Sequence, residues 1–142
     1  MKTRNAAAAW QGDLKGGKGT LTSDSKVLSA TPYAFHDRFE EGGGTNPEEL
    51  IGAAHAGCYS MALSMILGEA GLTPERVDTS AAVTLDEVEG GFRDHQDPPG
   101  GEGEGPGASQ EQFDECANAA KAGCPVSKLL NAEVTMDATL AS

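Results

Sequence analysis

The longest apolar stretch of the chain predicts one helix over residues 47–70. Asn46 can cap its start, Pro47 suits the first helical position, and Gly71 can end it. A helix that is apolar over most of its surface must be buried on several sides. We therefore expect this segment to be the central helix of the fold.

The sequence predicts strands both before and after this helix. Residues 77–86 and 132–140 alternate between apolar and polar positions, as half-buried strands do. Before the helix, residues 18–22 are rich in β-formers, and a further extended piece begins at Pro32. The predicted order of elements is strands, a long helix, and further strands.

Two shorter helices are predicted near the end of the chain. Ser109 and Gln112 have the spacing of a capping box, and Gly123 can end the helix that follows. Cys124 then precedes Pro125 at the start of a second, short helix. The predicted apolar face of the first of these helices consists of Phe113, Cys116, Ala117 and Ala120.

The alternation of apolar and polar positions is lost between Gly91 and Gly107. Residues 93–105 contain no aliphatic side chain, two adjacent prolines and four glycines. Such a segment is unsuited to a central strand. We therefore predict a solvated acidic loop, rich in glycine and proline, over 93–107.

Length and charge narrow the classes of function. A chain of 142 residues suits a single domain, 1–142. The net charge of −12 argues against nucleic acids and anionic membranes as partners, because both need basic patches. The sequence contains no uninterrupted run of about 18 apolar residues, so no membrane span is predicted. The first residues do not form a signal peptide, so a cytoplasmic location is expected.

The three cysteines are the main candidates for chemistry. Their odd number does not fit a closed disulfide framework. Cys58 lies in the apolar helix and can be a core residue or, with His55, part of a metal site. Cys124, at a helix start, can be a stabilised thiolate or a packing residue. Cys116 fits the apolar face of its helix and is expected to be a packing residue.

Two charged residues near the start of the long helix leave a similar choice. Arg38 follows an aromatic segment, and Glu48 stands in the first helical turn. Both can be ordinary surface charges. They can also form a functional ion pair.

Two motifs resemble the osmotically inducible protein C (OsmC) family. Residues 44–63 read GTNPEELIGAAHAGCYSMAL, and residues 122–127 read AGCPVS. Trp10 and the segment from Arg38 to Glu40 also fit. The resemblance is to the OsmC branch rather than to the sister branch of organic hydroperoxide resistance proteins. It covers nearly the whole chain.

The resemblance implies an α/β fold of the α+β type, with antiparallel-rich sheets wrapped around a long central helix in an intertwined homodimer. It implies a thiol peroxidase that reduces organic hydroperoxides, and hydrogen peroxide less well, with electrons from a dithiol. Cys58 would be the peroxidatic cysteine and Cys124 the resolving one. Arg38 and Glu48 would poise the thiolate. Neither a cofactor nor a metal is implied.

Helix geometry adds an expectation about the subunits. On one straight helix over 47–70, Glu48 and Cys58 are about 15 Å apart along the axis. Either a kink at Gly52 or Gly57 brings them closer, or the Arg38–Glu48 pair reaches Cys58 of a partner subunit. We predict the second arrangement, with the site at the dimer interface.

The chain departs from the family over 93–105, where the family has an alternating strand. Because the length is kept while the character changes, a shifted reading frame in the gene is one hypothesis. We expect this strand to be lost, which would leave an open edge near Val83 and Val134. A non-enzymatic stress or ligand-binding protein on the same fold is the alternative function. A cysteine hydrolase is remote, because His55 is too close in sequence to Cys58 to be its base.

Overall fold

In the residues that it describes, the computed structural model shows three α-helices and eight strands, divided between two compact units. The first unit is Met1–Leu50 and the second unit is Ile51–Ser142. The described residues are 1–40, 43–89, 91–96, 100–104, 109–130, 136 and 138–141.

The first unit is built on a small antiparallel sheet. Strands β1 (Ala6–Gln11), β2 (Lys18–Ser23) and β3 (Thr31–Tyr33) lie in the order β1-β2-β3. Trp10 packs its ring on Tyr33 of β3, with the ring centroids 5.4 Å apart. These strands confirm the β-rich start predicted from the sequence. A 3₁₀ turn, His36–Arg38, follows the sheet.

Helix α1 (Pro47–Glu69) begins and ends where the sequence predicts. The Asn46 side chain accepts a hydrogen bond of 2.8 Å from the Glu49 N–H and so caps the helix. Gly71 has a φ of +78°, the left-handed conformation that glycine adopts most easily after a helix. The helix is continuous through Gly52 and Gly57.

The described strands of the second unit form two sheets. Strand β4 (Arg76–Ser80) pairs with β7 (Gly100–Glu104), which pairs in parallel with β8 (Ala138–Ala141). Strand β5 (Val83–Val88) pairs only with β6 (Gly91–Gln96) among the described strands. The strand predicted over 77–86 is thus broken between Ser80 and Val83, where the chain changes sheets. Ala132 and Val134 of the predicted last strand lie outside the described residues.

The prediction that the family strand is lost is wrong. Strands β6 and β7 occupy most of 93–105, and β7 is the central strand of its sheet. The edge expected to be open at Val83 is paired with β6. The physical reason is that ladder hydrogen bonds come from backbone groups, which do not need aliphatic side chains. The two prolines fall between the strands in the sequence and so remove no donor from either ladder.

The core of the second unit lies between α1 and helix α2 (Gln110–Gly123). Ser109 and Gln112 form the predicted capping box at the start of α2. A short helix, α3 (Pro125–Leu129), follows directly. The buried core consists of Tyr59, Leu63, Leu67, Phe113, Cys116, Ala117 and Ala120.

The opposite face of α1 is apolar and exposed in the single chain. Met61 and Met65 are 69% and 59% exposed. The prediction of burial on several sides is therefore wrong for the chain by itself. By length and mean hydropathy (1.5 over 18 residues), α1 could also cross a membrane, although the central helix of a soluble protein passes the same test.

Candidate active site

Two of the three cysteines lie together in the second unit. The sulfurs of Cys58 and Cys124 are 3.1 Å apart, within hydrogen-bond distance, and all three cysteines are free thiols. Cys58 lies near the middle of α1, and Cys124 stands between the end of α2 and the start of α3. The fold thus joins two residues that are 66 positions apart in the sequence.

The two sulfurs differ in their access to solvent. Cys58 is half-buried and lines a pocket of about 310 Å³. Cys124 is fully buried, with no exposed surface. A small substrate entering the pocket therefore meets Cys58 first. The other residues that line the pocket are Met61, Ala62, Met65, Ile66, Gly123 and Pro125.

Cys124 is the more acidic thiol of the pair. Burial by itself raises the pKa of Cys124, but hydrogen bonds to its sulfur outweigh this effect and leave the pKa below its ordinary value. The donors are the N–H groups of Ser127 and Val126, the Ser127 hydroxyl and the Cys58 thiol. The position at the N-cap of α3 confirms the predicted helix start and explains why these N–H groups are available.

The pKa of Cys58 is shifted in the opposite direction. Burial and then the neighbouring Cys124 raise the pKa of Cys58, although the Val126 N–H acts to lower it. In the described part of the chain, none of the groups that shift this pKa is cationic. The directions of the two shifts therefore favour the thiolate at Cys124, with Cys58 as a hydrogen-bond donor to it.

The other two predicted site residues form an ion pair in the first unit. The Arg38 guanidinium donates to the Glu48 carboxylate through Nε, at 3.0 and 3.3 Å, and through a short contact from Nη2. Glu48 is buried, and Arg38 is partly exposed. A two-pronged pair of this kind fixes the position of the permanently charged guanidinium.

Local hydrogen bonds hold Arg38 in place. The preceding residue, Asp37, is buried, and its carboxylate accepts a bond of 2.8 Å from the Ala34 N–H. The Asn46 side chain donates to the Asp37 carbonyl at 3.0 Å. The residue that caps α1 therefore also anchors the turn that carries Arg38. Of the described residues that line an apolar pocket of about 290 Å³ within the first unit, Arg38 is the charged one.

A third contact was not foreseen from the sequence. The ring of His55 on α1 is fully buried, and its Nε2 lies 2.7 Å from the Ser127 hydroxyl on α3. The serine belongs to the motif around Cys124, three residues after it, and this position was the available signal. Cys116 lies in the core, as predicted. Among the described residues, no group of three or more His, Cys, Asp or Glu side chains could hold a metal.

Comparison with known proteins confirms the family. The family model described as OsmC-like protein matches residues 40–139, and the chain belongs to this family. It is 52% identical over 139 residues to Peroxiredoxin OsmC of Escherichia coli (strain K12), which covers 98% of this chain and 97% of the relative. It is 29% identical over 129 residues to the Organic hydroperoxide resistance protein OhrB of Bacillus subtilis (strain 168), covering 84% and 88%.

Solved structures confirm the α+β fold class. The crystal structure of OhrB of Bacillus subtilis superposes with a TM-score of 0.71 at 26% identity, covering 96% of this chain and 98% of that one. An OsmC-like protein from Mycoplasma pneumoniae superposes with a TM-score of 0.76 at 14% identity, covering 99% of both chains. The second likeness, at such low identity, concerns the fold alone.

Proposed function

We propose that this chain is a thiol-dependent peroxidase that reduces organic hydroperoxides through Cys58 and Cys124. One observation carries the proposal: the two sulfurs are 3.1 Å apart, one facing a pocket and the other buried behind it. The relatives named as a peroxiredoxin and as an organic hydroperoxide resistance protein support the same chemistry. Their matches extend over most of the chain, which supports one OsmC-like domain over 1–142.

The first step is attack on the peroxide. The Cys58 thiolate attacks the terminal oxygen of the hydroperoxide, a sulfur–oxygen bond forms, and the oxygen–oxygen bond breaks. The alkoxide leaves with the electron pair and takes up a proton to become the alcohol. Cys58 is thereby oxidised to the sulfenic acid.

The second step forms a disulfide. The Cys124 thiolate attacks the Cys58 sulfenic sulfur and displaces hydroxide, which becomes water. A dithiol reductant then returns both cysteines to thiols by exchange and leaves as its own disulfide. No cofactor or metal takes part in either step. Free thiols and exchange with a dithiol suit the reducing cytoplasm, which is the location we propose.

The shape of the pocket supports an organic substrate. The side chains around Cys58 are methionine, isoleucine, alanine and proline, which offer contact to an alkyl chain and no partner for a second hydroxyl. Hydrogen peroxide gains nothing from this apolar wall. We therefore expect it to be the poorer substrate.

Because burial and Cys124 raise the pKa of Cys58, a nearby cation would favour its thiolate in the first step. Arg38, held by Glu48, has the required permanent charge. In the proposed homodimer, the Arg38–Glu48 pair of one subunit approaches Cys58 of the other. A second copy would also cover the exposed apolar face of α1 around Met61 and Met65, because an exposed face of this kind marks an interface.

The oligomer can be tested directly. Met65→Glu places a charge on the exposed face of α1 without touching the core. We expect the variant to be largely monomeric by light scattering, with slower peroxide reduction, whereas Thr139→Glu, at an exposed position on β8, should remain dimeric. A wild-type protein that is monomeric at micromolar concentration would contradict the interface.

One observation favours the alternative of a non-enzymatic stress or ligand-binding protein. Without a cation near it, the raised pKa of Cys58 leaves little thiolate at pH 7. The alternative predicts that Cys58 alkylation at pH 7 is as slow as that of an ordinary buried thiol. The peroxidase proposal predicts faster alkylation that depends on Arg38.

The decisive experiment is peroxide-dependent formation of the Cys58–Cys124 disulfide. The full chain is treated with one equivalent of an alkyl hydroperoxide and then digested for mass spectrometry. We expect the Cys58–Cys124 linkage in the wild type and in Cys116→Ser, which is the matched control. A linkage through Cys116, or no linkage at all, would contradict the proposed function.

A further inference from the structure

Among the described residues, His55 is a buried titratable residue that the proposed peroxidase steps do not use. His55 has no exposed surface, yet its Nε2 lies 2.7 Å from the Ser127 hydroxyl. A buried polar pair of this kind joins α1 to α3, the short helix that begins next to Cys124. Both helix positions belong to the second unit.

Ser127 in turn contacts the buried sulfur. Its hydroxyl and its backbone N–H both form hydrogen bonds with Cys124. A thiolate can only accept hydrogen bonds, so the hydroxyl proton must point to the Cys124 sulfur when that sulfur is ionised. The Ser127 oxygen then has its lone pairs free, and it accepts a hydrogen bond from His55 in the tautomer that carries the ring proton on Nε2. The donors thus form one chain, from His55 through Ser127 to Cys124.

We propose that His55 is a positioning residue that holds the Ser127 hydroxyl proton toward Cys124 and so keeps Cys124 available as the resolving and leaving thiolate. The inference rests on the proposed function for its catalytic consequence. Its physical claim, a hydrogen-bond chain that stabilises one ionised sulfur, can be tested without peroxide.

The consequence is largest when the disulfide is reduced. The reductant thiolate attacks the Cys58 sulfur, a mixed disulfide with the reductant forms, and the Cys58–Cys124 bond breaks. Its electron pair stays on Cys124 as the thiolate. A thiolate that is better stabilised leaves faster, so the chain from His55 favours release of Cys124 and directs attack to the accessible sulfur. The second thiol of the reductant then releases Cys58.

The surroundings of Cys124 contain few competing charges. The titratable groups that interact with it in the described residues are Cys58 and Tyr59, apart from His55 acting through Ser127. Burial and the Cys124 charge raise the pKa of Tyr59 to about 12. Tyr59 therefore stays neutral over the working range, and a change in the ionisation of Cys124 can be assigned to the hydrogen-bond chain.

The test measures the Cys124 titration in a Cys58→Ser, Cys116→Ser background, by thiolate absorbance against pH. Ser127→Ala removes the hydroxyl, and His55→Leu removes the donor behind it. We expect the titration midpoint to rise by about one to two pH units in Ser127→Ala, and by less in His55→Leu. His55→Gln keeps a side-chain N–H donor and should return the midpoint toward the parent value.

Ser60→Ala is the matched control. Ser60 is a partly buried serine like Ser127, but it lies on α1, and its hydroxyl donates to the Ala56 carbonyl and to the Thr79 hydroxyl. We expect it to leave the midpoint unchanged. A shift as large as that of Ser127→Ala, or a His55→Gln midpoint no closer to the parent than that of His55→Leu, would overturn the proposal. If His55→Leu does not fold, His55→Met, which also has no N–H donor, is measured in its place, and a parent midpoint in that variant would overturn the proposal.

A second measurement uses the oxidised chain with all three cysteines present. Reduction of the disulfide by dithiothreitol should slow by about three- to tenfold in Ser127→Ala. An unchanged rate together with an unchanged midpoint would overturn the inference while leaving the proposed function intact. Absence of the disulfide after peroxide treatment of the wild type would refute the proposed function alone, because the midpoint shift does not depend on peroxide.

Discussion

The two cysteines of the sulfur pair differ in solvent access and in acidity. On the α1 side, Cys58 faces a pocket, and its pKa is raised by burial and by Cys124. On the α3 side, Cys124 has no exposed surface, and its pKa is lowered by hydrogen bonds. The chain therefore separates access from acidity over a distance of 3.1 Å. In the proposed reaction a cation from another residue stabilises the accessible thiolate, whereas hydrogen bonds at the start of α3 stabilise the buried one.

The strongest way to break this comparison is to remove the accessible sulfur. Cys58→Ser should reduce alkyl hydroperoxide turnover by about 10⁴-fold or more, because the nucleophile is lost. Turnover is measured by consumption of cumene hydroperoxide with a dithiol. Cys116→Ser should retain the wild-type rate. Wild-type turnover in Cys58→Ser would end the assignment.

Removal of the buried sulfur should have a different effect. Cys124→Ser should still consume about one equivalent of peroxide per chain, because Cys58 remains, but no intramolecular disulfide can form. Sulfenic acid should accumulate and pass to sulfinic acid under excess peroxide. Mass spectrometry distinguishes these species, and a Cys124→Ser chain that recycles with a dithiol as fast as the wild type would assign no resolving role to Cys124.

The source of the cation can be tested through Arg38. Arg38→Met should slow Cys58 alkylation and peroxide reduction at pH 7 by about 10- to 100-fold, because an opposite charge nearby lowers a pKa by about one to two units. Arg38→Lys should recover only part of the rate, since an ammonium cannot make the two-pronged bond to Glu48. Arg76→Met, at an exposed pair with Asp78, is the control. Equal rates in both methionine variants would separate Arg38 from the site.

The smallest expected effect concerns the coupling between the two sulfurs. Cys124 raises the pKa of Cys58, so Cys124→Ser should move the Cys58 midpoint to lower pH. At any pH below the wild-type midpoint, a larger fraction of Cys58 is then thiolate in the variant than in the wild type. Alkylation of Cys58 should therefore be faster in the variant. The pH profile of iodoacetamide labelling, followed at Cys58 by peptide mapping, checks the direction. A shift to higher pH would show that Cys124 stabilises the Cys58 thiolate.

The prediction that no strand forms over 93–105 shows where side-chain patterns mislead. The absence of aliphatic residues in 93–105 suggested a loop, yet β6 and β7 form there. Pairing with β5 and with β4 and β8 supplies the backbone partners, and no pattern of residues within the segment reports such partners. The same limit applies to the break between β4 and β5. The sequence predicts one strand for this segment, but its two halves belong to two different sheets.

Local sequence determined what depends on near neighbours. The cap at Asn46, the capping box at Ser109, the end of α1 at Gly71 and the placement of Cys124 at a helix start each involve groups a few residues apart. The family motifs also pointed to the four candidate site residues. Only the tertiary structure brought Cys58 to Cys124, buried one sulfur and not the other, and placed His55 against Ser127. These contacts join residues 66 and 72 positions apart, and core packing decides them because no short-range interaction spans such separations.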